Sequence, residues 1–255
     1  MIDPLGALIL VAAGIIAGTV NTIVGAGSLL TFPTLLFLGY SPLVANVTNT
    51  LGLVPGTISG SIGYRRELAG QRTRARPLLI AAGLGGLTGA CLLLVLPASA
   101  FARIVPVLIL IACALVAVQP RLSAWVLERR ARSGAVHAGG GPLLVIGVYL
   151  TGIYGGYFGA AQGVILIALL AILVDDDLQR LNGLKNLIAV VINSVAAIIF
   201  VFVAPVAWLP AVLLAIGSTI GGQLGAVVGR RLSPFVLRWA IVLVGTTVAV
   251  RLLIG

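Results

Sequence analysis

The chain has 255 residues, of which 60% are hydrophobic and only 9% charged, where a soluble domain carries roughly 25% charged residues. Its mean hydropathy is +1.20 and its formal charge +10. A soluble globular protein is excluded, and with no polar domain to shape a groove, nucleic acid is set aside as a partner. The partner implied is the lipid bilayer.

Apolar runs lie at about 5–23, 28–39, 43–63, 78–96, 103–119, 143–159, 163–174, 184–204, 209–229 and 235–254. A hydrocarbon core about 30 Å thick takes about 20 helical residues to cross, so these runs are expected as helices. The alternating strands of about 10 residues that a membrane barrel requires do not appear. The opening Met1-Ile2-Asp3-Pro4 has no basic stretch ahead of the first run, which is therefore expected to be retained rather than cleaved. The runs at 28–39 and 163–174 are short for a span. Eight full spans and two half-helices are expected, each short piece forming a broken or re-entrant hairpin with the run before it. Such loosened backbone is tolerated only where protein buries it or it lines a cavity.

The first half of the chain is echoed by the second. Gly14-x3-Gly18-x2-Asn21-x3-Gly25-Ala26-Gly27-Ser28 opens one, and Gly152-x3-Gly156-x2-Gly159-x3-Gly163 opens the other. Paired hydrophobic segments interrupted by glycine point to a transporter site near the bilayer midplane. The arginines set orientation: Arg65, Arg66, Arg72, Arg74 and Arg76 mark one cytoplasmic loop (64–77), Arg121, Arg129, Arg130 and Arg132 a second (120–133), and Arg230 and Arg231 a third. The turns at 97–102 and 205–208 and both termini then lie outside. Corresponding turns of the two halves fall on opposite sides. The expected architecture is an all-α integral membrane protein of two inverted-topology repeats, 1–119 and 143–255, joined by a cytoplasmic basic linker at 120–142. Multi-pass insertion in a bacterial inner membrane follows.

Polar residues inside a membrane helix are costly and need a reason. Asn46, Asn49, Thr50 and Thr57 in one half, and Asn182, Lys185, Asn186 and Asn193 in the other, share the spacing 0, +3, +4, +11, which forms one stripe on a helix. The stripes are offset by 136 residues and the glycine segments by 138. Lys185 is the only lysine. Near a helix end it has two readings: a side chain reaching cytoplasmic headgroups, paired with Asp175, Asp176 or Asp177, or a cation facing a cavity and binding an anion. Its polar neighbours Asn182 and Asn186 favour the second. Asn49 stands opposite Lys185 in the symmetry, so one dominant cationic contact is expected rather than two.

A helix restarting after Gly25-Ala26-Gly27 presents unpaired N–H groups and a positive dipole end, a natural place for an anion. Thr22 and Ser28 add hydroxyls there, and Gln162 is the polar member of the second turn. Gly25, Gly27 and Gly163 are expected at the cavity, whereas Gly14, Gly18, Gly152 and Gly156 suit close helix packing. All six carboxylates, Asp3, Glu67, Glu128, Asp175, Asp176 and Asp177, fall in loops or at segment ends, so no carboxylate proton relay is visible. Cys91 and Cys113 sit inside apolar runs as packing residues, and His137 stands alone in a Gly-rich loop, expected in solvent. No metal set, cofactor motif or Ser-His-Asp constellation assembles from these residues, so enzymatic activity is not expected.

The Gly-x3-Gly-x2-Asn-x3-Gly-x-Gly-Ser opening, with Phe32-Pro33-x-Leu35 and Ala45-x2-Thr48 after it, resembles the TauE/SafE family of sulfite exporters and related permeases. The run Gln179-Arg180-Leu181-Asn182-Gly183-Leu184-Lys185-Asn186 resembles that family's second-repeat motif, while Ala160-Ala161-Gln162 departs from its glycine-rich pattern. The resemblance covers nearly the whole chain and implies transport of sulfur-containing anions such as sulfite and sulfonates. The substrate is then expected to meet Asn21, Thr22, Gly25, Gly27, Ser28, Gln162 and Gly163 at the breaks. Asn46, Asn49, Thr50, Asn182, Lys185, Asn186 and Asn193 are expected along the path. An uncoupled anion channel or facilitator, and a membrane scaffold without flux, are the competing readings. The sequence does not say whether a proton or sodium ion is coupled.

Overall fold

The computed structural model describes residues 2–133, 141–228 and 234–254. Among them it is all helical: α1 (Pro4–Ile23), α2 (Ser28–Phe37), α3 (Pro42–Gly63), α4 (Arg72–Val95), α5 (Ala98–Ser133), α6 (Gly141–Tyr157), α7 (Gln162–Leu173), α8 (Leu178–Val203), α9 (Trp208–Val228) and α10 (Pro234–Ile254). Within the described residues, α1, α4, α8, α9 and the first 24 residues of α5 (Ala98–Arg121) are long and apolar enough to cross a membrane. The outward face of the bundle is apolar too, with Phe37 on α2, Val95, Phe202, Val227 and Leu243 on α10 among the most exposed side chains. Such a surface is matched to lipid rather than to water.

Local chemistry explains the helix starts. Asp3 caps α1 by accepting the Gly6 N–H at 2.9 Å, with Pro4 in the first turn. Pro42 likewise stands in the first turn of α3, after Ser41, which makes no side-chain cap bond. Asp177 caps α8 through the N–H groups of Gln179 (2.9 Å) and Arg180 (3.4 Å). Two expectations need correction. The basic stretch 120–133 is not a loop: α5 runs through Pro120 to Ser133. Hydropathy marks where a segment leaves the membrane, not where its helix ends, and Arg, Leu, Ala and Glu are good helix formers. For the same reason α4 and α8 start six residues before their apolar runs, at Arg72 and Leu178. His137, Gly139, Gly140, Arg230 and Arg231 lie outside the described residues.

The helices pack in matched pairs. α1 lies on α9 and α6 on α4; α3 lies on α9 and α8 on α4; α3 meets α8, and α5 meets α10. Glycine sets the closeness of these seams. A Cβ on Gly14 would come 3.1 Å from the Gly217 Cα, and one on Gly18 would come 2.3 Å from the Ser218 carbonyl. In the other seam a Cβ on Gly152 would lie 3.0 Å from the Gly85 Cα, and one on Gly156 would lie 2.3 Å from the Gly86 carbonyl. These four glycines therefore serve helix packing. Of the cysteines, Cys113 is in the core while Cys91 is exposed on α4.

One end of the bundle is tied by charge. Asp176, between α7 and α8, bonds both Arg74 and Arg180 at 2.8 Å, and Gln71 donates to the Arg180 carbonyl at 3.0 Å. At the start of α3, the Thr48 hydroxyl accepts the Ala207 N–H at 3.1 Å, joining α3 to the turn between α8 and α9.

Candidate substrate site

Two helix breaks approach each other inside the bundle. α1 stops at Ile23, and Gly25, at φ 86°, turns the chain while donating its N–H to the Val20 carbonyl at 3.1 Å. α6 stops at Tyr157, and Gly159, at φ 73°, donates to the Tyr154 carbonyl at 3.1 Å. Each turn uses the left-handed conformation that glycine adopts without strain. α2 and α7 then begin three residues later, at Ser28 and Gln162. The segments touch at Gly25 and Gly163. The Gly163 N–H donates to the Gly25 carbonyl at 3.1 Å, and a Cβ on either glycine would lie 2.4 Å from the other's Cα. Gly27 is equally enclosed, since a Cβ there would meet the Ala17 carbonyl at 2.3 Å. In this conformation Gly25, Gly27 and Gly163 face backbone.

The last carbonyls of a helix have no intrahelical donor and carry the negative end of its dipole. At the end of α1 those carbonyls are taken by α8. The Thr22 carbonyl receives Lys185 Nζ at 3.1 Å, Asn186 Nδ2 at 3.2 Å and Asn182 Nδ2 at 3.3 Å, and Lys185 Nζ also reaches the Asn21 carbonyl at 3.3 Å. Lys185 is only 1% exposed, and among the described residues no carboxylate pairs with it. The alternative of a headgroup-facing lysine paired with Asp175, Asp176 or Asp177 is overturned: Asp176 holds Arg74 and Arg180 instead. An ammonium has three donors, and two are used on main-chain carbonyls.

The first-half stripe plays a related part at the other break. Asn46 Nδ2 donates to the Tyr157 carbonyl at 2.9 Å, so α3 caps the end of α6 as α8 caps the end of α1. Asn49, at the position of Lys185 in the first stripe, accepts the Thr31 hydroxyl of α2 on its carboxamide oxygen. The Thr50 and Thr57 hydroxyls bond carbonyls of their own helix. Gln162 Nε2 bonds Asn193 Oδ1 at 2.8 Å, linking the second break to α8. Ser28 is partly exposed and forms no side-chain cap on α2.

The structure adds residues that the polar pattern does not single out. Thr31 is buried against Asn49, and Tyr154 donates to the Ala160 carbonyl at 2.6 Å inside the second break. Phe32 and Phe158 meet edge to face at 5.3 Å, and Phe101 packs on Tyr157 at 5.5 Å. Only the Phe32-Pro33 pair offers a local signal for this cluster. Asn46 Oδ1, Asn182 Oδ1, Gln162 Oε1 and the Tyr157 hydroxyl are buried without partners. For Asn46 and Asn182 the amide orientation is fixed, because a main-chain carbonyl can only accept.

An amine and a row of carboxamides buried inside a multi-pass helical bundle mark a substrate or ion pathway, as in a membrane transporter. Residues 10–252 match the family model described as "Sulfite exporter TauE/SafE", and the chain belongs to that family. Similar proteins include "Probable membrane transporter protein YfcA" of Escherichia coli (strain K12), 25% identical over 253 residues and covering 99% of this chain and 91% of the relative. "Probable membrane transporter protein" of Haemophilus influenzae is 27% identical over 218 residues, covering 86% and 83%. "Probable membrane transporter protein ORF9" of Sinorhizobium sp is 24% identical over 244 residues, covering 96% and 91%. No solved structure matches. The chain is thus a multi-pass inner-membrane protein that moves small anions across the bilayer.

Proposed function

We propose that the chain carries a small sulfur-containing oxyanion, sulfite or an organic sulfonate, by alternating access between two inverted repeats, 1–119 and 143–255. The buried amine of Lys185, with no carboxylate partner among the described residues, carries this reading. Held by two carbonyl dipoles and no carboxylate, a buried ammonium is only partly compensated, and an anion arriving at the free third donor completes the compensation. Exchange of helix partners supports the repeats: among the six helices α1, α3, α9, α6, α8 and α4, replacing the first three by the last three turns each contact into another observed contact or into itself. The hairpins α1–α2 and α6–α7 would re-enter from opposite faces and meet at Gly25 and Gly163. Asn21, Thr22, Ser28, Gln162, Asn182, Asn186 and Asn193 then surround the anion around Lys185. Asn46, Asn49 and Thr50 belong to the half-site reached from the other face.

Labelled sulfite and a labelled sulfonate in proteoliposomes test it. Wild-type protein is expected to give saturable uptake, and Lys185→Ala to reduce it at least tenfold. Uptake of both anions by Lys185→Ala at wild-type rate and affinity would refute the assignment. Flux that follows only the anion's own electrochemical gradient would instead mark a facilitator.

A further inference from the structure

The end of α1 has the chemistry of a cation site. The Asn21 and Thr22 carbonyls converge there at the negative end of a helix dipole. Asn182, one turn before Lys185, donates Nδ2 to the same Thr22 carbonyl, and its Oδ1 is buried without a partner. Main-chain carbonyls at the broken end of a half-helix are ligands that transporters use for alkali cations. In this protein the two carbonyls, though not Asn182 Oδ1, meet the Lys185 ammonium, which enters from α8 and has no carboxylate partner among the described residues.

We propose that the carbonyl end of α1 is a monovalent-cation site that the chain fills with its own ammonium, so that the protein needs no sodium ion and its removal opens the site to free cations. The tether has a mechanical consequence. A diffusible cation would bind and leave with each cycle. An ammonium on α8 instead joins the two halves of the chain at α1 and keeps one N–H for the anion. Only this last point rests on the transport reading above; the cation site rests on the oxygens themselves.

The test uses thermal unfolding of the detergent-purified full chain, wild type and Lys185→Ala, titrated with the chlorides of sodium, potassium, ammonium and ethylammonium, against N-methylglucamine chloride at equal ionic strength. Ligand that binds only the folded state stabilises it saturably. Lys185→Ala is expected to unfold at lower temperature and to recover saturably with at least one of the small cations, while wild type does not respond. Anion uptake by wild type is expected to be the same in sodium and in N-methylglucamine. The proposal is overturned if Lys185→Ala responds to no small cation beyond the N-methylglucamine control, or if wild-type uptake falls when sodium is withdrawn. Should the alanine variant not assemble, the sodium dependence of wild type decides alone. Should wild type move no anion, the transport reading falls, while the cation titration still decides this one.

Discussion

At the residue scale, two positions decide most of the site. Lys185 is legible in the sequence as the only lysine, on a polar stripe, but its partners are not. They are carbonyls, and which carbonyls lack donors depends on where α1 breaks, a property of the turn at Gly25 rather than of any side chain. Gly25 makes the sharper stability prediction. Alanine there adds a left-handed strain of about 1–2 kcal/mol and a backbone collision with Gly163, for a total loss of about 2–4 kcal/mol. Gly39 also has positive φ, at 88°, but nothing stands within 4 Å of its would-be Cβ. Gly39→Ala is expected to cost only the strain, about 1 kcal/mol. Thermal unfolding in detergent checks the pair; equal losses in both variants would show that the Gly25–Gly163 contact contributes nothing.

Among the elements, the ends of helices hold the structure together. The Asp176 carboxyl ties the start of α4 to the start of α8. Burial pushes its pKa up, but hydrogen bonds from Arg74, the Asp177 N–H and Arg180 outweigh that and hold it below the ordinary carboxylate value. A depressed folded pKa means that its stabilisation is present above the ordinary value and is lost as pH falls through the folded one. Asp176→Asn is therefore expected to lower stability at pH 7 by about 1 kcal/mol, the pair being partly solvated. Its deficit should close as pH drops below about 4. Melting temperatures of the two proteins measured from pH 7 down to pH 3 give the comparison; a gap that widens in acid would contradict the role assigned to the carboxylate. The sequence shows these helices but places their ends poorly. α5 outruns its apolar segment to Ser133, since arginine and glutamate extend a helix into water as readily as leucine extends it through lipid.

On the scale of the whole molecule, the glycine pattern is a good guide to packing and a partial guide to the breaks. Gly14 and Gly18 meet α9 much as Gly152 and Gly156 meet α4. Yet α1 continues five residues past Gly18, to Ile23, whereas α6 ends one residue past Gly156, at Tyr157. The longer end of α1 carries the Asn21 and Thr22 carbonyls that Lys185 holds. A matching lysine is missing from the first stripe, where Asn49 bonds Thr31 instead. Under the proposed repeats, one half extends a helix by a turn, and the other half supplies the amine that caps it.

The central claim, that the carried anion meets Lys185, is open to a direct measurement because the chain has a single lysine. Protein made with isotopically labelled lysine and placed in lipid nanodiscs gives one side-chain NMR signal. Titration with sulfite, and separately with a sulfonate, is expected to shift that signal saturably for at least one of them, with a midpoint matching the concentration that half-saturates uptake. A lysine signal that stays still while the same preparation transports the anion with saturable kinetics would contradict the account.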